Sequence, residues 1–212
     1  MRMKNKVLLI ILFLPCVLFA QDKDVELWGS VKFSKKLTKN LRFELQEQIR
    51  WADSLRQYDQ NFSQWGVKYK VLKSHTLGLS LRFVDPAEKD KYMRMNFDLS
   101  SSKKFKKIPF SIKHRFRYQQ SWDVLGAADE SYLRSKLGIQ FRRKIISPYL
   151  AIEYYYQLDG INEFKKKRNT FGLQWALNED MKMEFFLRDQ EELNKKKKDQ
   201  VVILGCGMHY KF

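Results

Sequence analysis

Cysteine is almost missing from this chain: 212 residues hold two, Cys16 and Cys206. Histidine is nearly as scarce, with His75, His114 and His209 only. After residue 20 no apolar run approaches the roughly 20 residues that a membrane-spanning helix needs, and no stretch reads as a helix of any kind. There is no phosphate-binding glycine loop, no Cys–His cluster and no metal-ligand spacing. These absences exclude a disulfide-stapled domain, a zinc or nucleotide site built on a familiar motif, and a helical membrane protein.

What is present begins at the N-terminus. Met1 to Lys6 carries Arg2, Lys4 and Lys6 and no acid, and residues 7–20 (VLLIILFLPCVLFA) carry no charge. A basic start, an apolar core and a small residue at the break make a secretory signal peptide, with cleavage expected after Ala20. A lipoprotein signal ending at Cys16 is the alternative, but Pro15 fits poorly where a small flexible residue is wanted. The mature chain, Gln21 to Phe212, then keeps Cys206 alone, so it forms no internal disulfide in a compartment that permits one. Its length suits one domain.

The recurring pattern along the mature chain has period two, the mark of strands with two different faces. Leu41, Phe43, Leu45, Ile49 and Trp51 alternate with Arg42, Glu44, Gln46, Gln48 and Arg50, with Glu47 the break on the apolar side. Leu77, Leu79, Leu81 and Phe83 alternate with Gly78, Ser80 and Arg82. Phe110, Ile112, Phe116 and Tyr118 alternate with Ser111, Lys113, Arg115 and Arg117, with His114 the break. The same alternation runs through segments near residues 65–71, 93–99, 133–141, 149–156, 170–177 and 182–188. It ends in Val202, Leu204, Cys206, Met208, Tyr210 and Phe212. Val25 to Phe33 gives a weaker first strand. Short connections (near 35–39, 73–75, 101–107, 144–145 and 178–180) alternate with longer polar ones (52–60, 85–91, 121–130, 158–167 and 189–200).

Period two alone does not say which face is buried, because a soluble barrel turns its apolar face inward. Three features reverse the assignment here. A signal peptide exports the chain. The apolar faces are almost all large, with Trp51, Trp65, Tyr69, Tyr118 and Tyr156 near strand ends, as at a water–lipid interface. Finally, an alternating last strand that ends on an aromatic residue resembles the C-terminal signal read by the machinery that assembles outer-membrane barrels. The expectation is an all-β, antiparallel transmembrane β-barrel in the outer membrane of a diderm bacterium. Phe212 and Tyr210 carry the assembly signal, and the barrel assembly machinery and outer-membrane lipid are the partners. Eleven strands are countable. Single-chain bacterial barrels have even numbers, which leaves 10–12: ten if Val25–Phe33 lies outside the wall, twelve if one strand is unseen.

The stretch LWGSVKFSKKLTKNLRFELQEQIRW (Leu27 to Trp51) has a Trp, a basic KKLTKNL turn and an alternating strand ending in Arg-Trp. It resembles the opening of the small outer-membrane proteins grouped as domain of unknown function family 2490, and the strand number and the Tyr-Lys-Phe ending fit along the mature chain. The resemblance implies an outer-membrane barrel, no established activity, and no functional residue to carry over.

The formal net charge is +17. Export makes nucleic acid an unsuitable partner. The runs Lys165–Arg168 and Lys195–Lys198 fall in longer loops, where they either pair with lipopolysaccharide phosphates or form solvated charge. Hydrolysis in a barrel needs a nucleophile or activated water with a base in reach, and no histidine here has a serine or acid at a suggestive position on a facing strand. The chain therefore reads as no enzyme, with no catalytic residue, metal or cofactor. The informative site is the polar face, with Arg82, Arg94, Lys113, Arg115, Arg117, Arg134, Lys136, Glu153, Glu184 and Arg188 directed to the lumen. A tight turn at 144–145 sets Lys136 opposite Glu153 as a cross-strand pair. Two roles follow. One is a filled, charged lumen in a barrel of structural, binding or surface-interaction role. The alternative is a narrow anion-preferring channel or pocket for an anionic solute. A lipid-modifying enzyme is the remaining reading.

Overall fold

The computed structural model describes residues 24–123, 128–160, 162–194 and 200–212. Residues 1–20, read as the signal peptide, and Lys195–Lys198 lie outside the described residues. Eleven strands follow one another: β1 (Asp24–Lys36), β2 (Leu41–Ala52), β3 (Gln57–Lys70), β4 (His75–Pro86), β5 (Tyr92–Lys104), β6 (Phe110–Asp123), β7 (Ala128–Phe141), β8 (Ile146–Gln157), β9 (Phe164–Ala176), β10 (Met181–Glu192) and β11 (Gln200–Lys211). Each pairs with its neighbours in sequence, and β1 closes on β11 to complete a barrel.

That closure fixes the strand count within the expected 10–12 and corrects one pairing. The Val25–Phe33 segment is inside the wall as part of β1, so the ring has eleven strands, neither ten nor twelve. A chain that reverses direction at every turn brings an odd first and last strand together pointing the same way. The β1–β11 seam is accordingly parallel, while consecutive strands pair antiparallel. Its register matches face to face: Trp28 lies opposite Gly205, Gly29 opposite Cys206 and Phe33 opposite Tyr210. Asp24 pairs with Val201 and Ser34 with Lys211, so the start of β1 sits at the rim opposite Phe212.

The two faces of the wall are inverted relative to a water-soluble barrel. Leu150 (62% exposed), Trp65 (55%) and Phe116 (55%) stand outside, while Glu153 (4%), Asp98 (7%) and Arg117 (8%) are buried inside. A continuous apolar exterior on this scale is stable only where lipid covers it, and a closed ring leaves no unpaired edge in that lipid. The chain therefore folds as a transmembrane barrel.

Connections expected to be long are shorter than the hydropathy pattern implies. β3 already begins at Gln57 and β9 at Phe164, so Lys165–Arg168 lies in a strand rather than a loop. Backbone pairing depends on hydrogen bonds, which continue beyond the lipid edge where the apolar alternation stops. There the outward positions turn polar, as in the cross-strand pairs Asn61–Asp85 and Asn169–Asp189. The outward Glu47 is held by Ser63, whose Oγ donates to Glu47 Oε2 at 2.6 Å.

Turns at the Phe212 rim are fixed by side-chain acceptors. Thr38 Oγ1 accepts from the backbone N–H of Leu41 at 3.0 Å. Asn178 Oδ1 accepts from those of Met181 (2.7 Å) and Asp180 (3.0 Å). Short polar residues that bond backbone groups two or three positions on are suited to tight turns.

Candidate functional site

Because side chains alternate across the wall, each strand sends its polar set into the lumen. All ten charged residues expected there line it: Arg82, Arg94, Arg115, Arg117, Arg134, Lys136, Glu153, Glu184 and Arg188 around a central cavity of about 790 Å³, and Lys113 around a cavity of about 490 Å³ at the Phe212 end. The two cavities share Lys68, Ser100, Arg115, Lys136 and Glu184. A third, of about 690 Å³ at the far rim, shares Gln60, Lys89, Tyr92, Arg94 and Glu130 with the central one. Adjacent cavities thus meet along the barrel axis.

Acids neutralise one part of the interior. Asp98 receives Arg117 through two parallel bonds of 2.6 and 2.7 Å, the bidentate geometry that suits guanidinium and carboxylate. Glu153 Oε1 accepts from Arg115 at 2.7 Å and from Arg134 at 2.8 Å. Glu44 bridges Lys32 (2.7 Å) and Lys68 (2.9 Å). The expected Lys136–Glu153 register is present. The ion pairs of the Glu153 carboxylate, however, go to the two arginines, whose longer planar forks reach it from β6 and β7. Lys113 donates to Gln140 at 2.9 Å, and Glu184 accepts from Gln174 at 3.4 Å.

The remainder of the central cavity differs. Fourteen cationic side chains and six acidic ones line it. Among the described residues, Arg50, Arg82, Arg94, Arg168 and Arg188 make no salt bridge and bond only neutral acceptors. Arg82 donates twice to Gln64 Oε1 (2.9 and 2.7 Å), Arg94 to Ser121 and Tyr92 (3.1 Å each), and Arg188 to Thr170 (3.2 Å). Arg168 donates to Gln190 at 2.6 Å and to the Tyr155 hydroxyl. Aromatic faces support them: Arg50 lies 3.8 Å from the Trp28 ring centre, Arg82 3.6 Å from Phe62 and Arg188 4.6 Å from Phe186. Trp28 is anchored by its Nε1, which donates to Glu26 Oε2 at 2.7 Å.

Sequence reasoning missed Arg168, placed in a loop, and gave no role to Trp28, Phe62 or Phe186, because large apolar residues were expected outside. A signal was there: in β1 the small Gly29 and the large Trp28 exchange the usual faces. The histidine expectation also needs correcting. Each histidine has a serine hydroxyl in reach: Ser74 for His75 (2.8 Å), Ser135 for His114 (3.0 Å) and Ser34 for His209 (2.9 Å). Ser34 is 3% exposed, which leaves its hydroxyl no room to meet a substrate.

The family model described as "Protein of unknown function (DUF2490)" matches residues 25–201. The chain belongs to the DUF2490 family. The match runs from β1 through β10 and ends at the start of β11. No curated protein matches it. Among solved structures, the NanC porin in a rhombohedral crystal form superposes on this DUF2490 barrel with a TM-score of 0.50 at 13% identity, covering 78% of this chain and 86% of that chain. The likeness establishes a porin-like fold.

Proposed function

We propose that this barrel is a narrow, anion-preferring pore or solute pocket of the bacterial outer membrane, acting without catalysis. One observation carries the reading: five lumen arginines have no carboxylate partner while cations outnumber acids around the central cavity. A barrel whose interior served only as packing would pair such charges, since an uncompensated buried charge is very costly. Interiors built for stability also hold few voids larger than a water molecule, whereas three adjoining cavities follow this axis. A cationic lining draws anions in and repels cations. The reading takes residues 1–20 as removed on export and Phe212, 58% exposed at the end of the outward stripe, as the tag for assembly.

Proteoliposomes test it. Vesicles carrying the mature protein should release a trapped small organic anion faster than a cation of equal size, and Arg94→Glu with Arg188→Glu should reduce or reverse the difference. Equal impermeability to both would favour the filled barrel that acts through its loops.

A further inference from the structure

We propose that Arg50, Arg82, Arg94, Arg168 and Arg188 together form a binding site for a polyvalent oxyanion, a phosphate ester or a polycarboxylate, held across the lumen. The proposal rests on the anion-preferring reading and adds a resident site and a ligand class to it. Arg115, Arg117 and Arg134 have Asp98 or Glu153 as protein counter-ions. The other five share one cavity and make no salt bridge among the described residues, which leaves them to a solute's charge.

Their geometry suits an oxyanion better than a halide. The guanidinium centres of Arg50 and Arg82 lie over Trp28 and Phe62, at 3.8 and 3.6 Å from the ring centres. Contact with a ring leaves the in-plane N–H donors of a guanidinium usable, the donors that grip carboxylate or phosphate with two parallel bonds; Arg82 spends Nε and one Nη2 donor on Gln64, while no described residue bonds its Nη1. Among the described residues Arg188 bonds only through Nε, to Thr170 at 3.2 Å, which leaves its other donors to a solute. The five converge on one cavity from β2, β4, β5, β9 and β10, and Arg50, Arg188 and Arg168 meet at Trp28, 3.8, 4.9 and 5.5 Å from its ring centre. A chloride ion offers one charged centre and no fork to match a guanidinium. A solute with several charged oxygens engages several of the five at once, within a cavity of about 790 Å³ that admits a small molecule.

The test measures binding to the mature protein in detergent micelles, by the temperature at which the folded, fast-migrating form is lost on an unboiled gel. Chloride, inorganic phosphate, pyrophosphate and citrate are compared at one ionic strength. Pyrophosphate or citrate should protect at a concentration at least tenfold below that of chloride. Which of the two binds more tightly separates the phosphoryl from the carboxylate class. Arg82→Lys and Arg188→Lys keep the charge but lose the fork, and each should weaken protection by about ten- to a hundredfold. Arg143→Lys, at a stacked arginine 4.5 Å from Phe141 on the Phe212 rim and outside the site, should leave it unchanged. Equal protection by all anions at one ionic strength overturns the site, as does an Arg143→Lys loss equal to that of the other two. A bilayer measurement separates the two levels: anion preference without oxyanion discrimination overturns the site alone, and cation preference overturns the reading beneath it.

Discussion

Removing Asp98 tests whether the lumen behaves as protein interior or as bulk water. Its carboxylate holds Arg117 at 2.6 and 2.7 Å, and both residues are buried, 7% and 8% exposed. Deleting one partner of a buried pair leaves an uncompensated charge and costs about 3–5 kcal/mol. Coulomb's law gives a similar figure: opposite unit charges about 4 Å apart at an effective dielectric constant near 20 attract by about 4 kcal/mol. Asp98→Ala should therefore lower stability by about 3–5 kcal/mol, read from urea unfolding of the barrel in lipid vesicles by tryptophan fluorescence. The exposed pair Lys91–Asp85, at 3.2 Å on the far rim, is the control, and Asp85→Ala should cost about 1 kcal/mol or less. The apolar double change Asp98→Leu, Arg117→Met should recover most of the loss, because replacing both charges removes the stranded one. If Asp98→Ala costs no more than Asp85→Ala, the interior is solvated like a surface and the argument from unpaired arginines loses its force.

Three further outcomes follow from the wall. Gly29→Cys should form a disulfide with the native Cys206 under a lipid-soluble oxidant, since the two face each other outward across the parallel seam and an added Cβ at Gly29 meets Ile49 at an ordinary 3.5 Å; absence of a cross-link would contradict closure by β1. Gly205→Ala should destabilise by about 1–3 kcal/mol, measured by the same urea titration, because a Cβ there overlaps the Phe186 ring packed over the backbone; an unchanged midpoint would place that ring elsewhere. Deleting Phe212 should sharply reduce the folded protein recovered from outer membranes by immunoblot, although burying one such side chain is worth only about 1.5–3 kcal/mol; normal recovery would remove its role as an assembly tag.

Much of this architecture was legible because one physical rule governs each strand. Where lipid meets the outer face, alternation is enforced residue by residue, and stretches such as Leu41–Trp51 and Leu77–Phe83 announce both strand and orientation. The rule fails in two places for identifiable reasons. Beyond the lipid edge the outward positions turn polar too, so Lys165–Arg168 holds no apolar residue to mark an alternation and looks like loop although its backbone is paired in β9. Inside the lumen, Trp28, Phe62 and Phe186 break the rule because arginine faces, rather than lipid, cover their rings. Which acid neutralises which cation was not legible either. The register set Lys136 beside Glu153 correctly, but side-chain reach decided that Arg115 and Arg134 bond it. The even-number rule also misled, since β1 completes the ring through a parallel seam that no local pattern reveals.

The central claim is that the lumen admits anions in preference to cations. The most direct measurement is the reversal potential of the purified mature protein in a planar bilayer under a potassium chloride gradient. The account predicts small conductance steps with a reversal potential displaced toward that of chloride, and a smaller displacement or a change of sign for Arg94→Glu with Arg188→Glu. A wild-type reversal potential displaced toward that of potassium would contradict it and would mean that the arginine-bearing face does not govern the path.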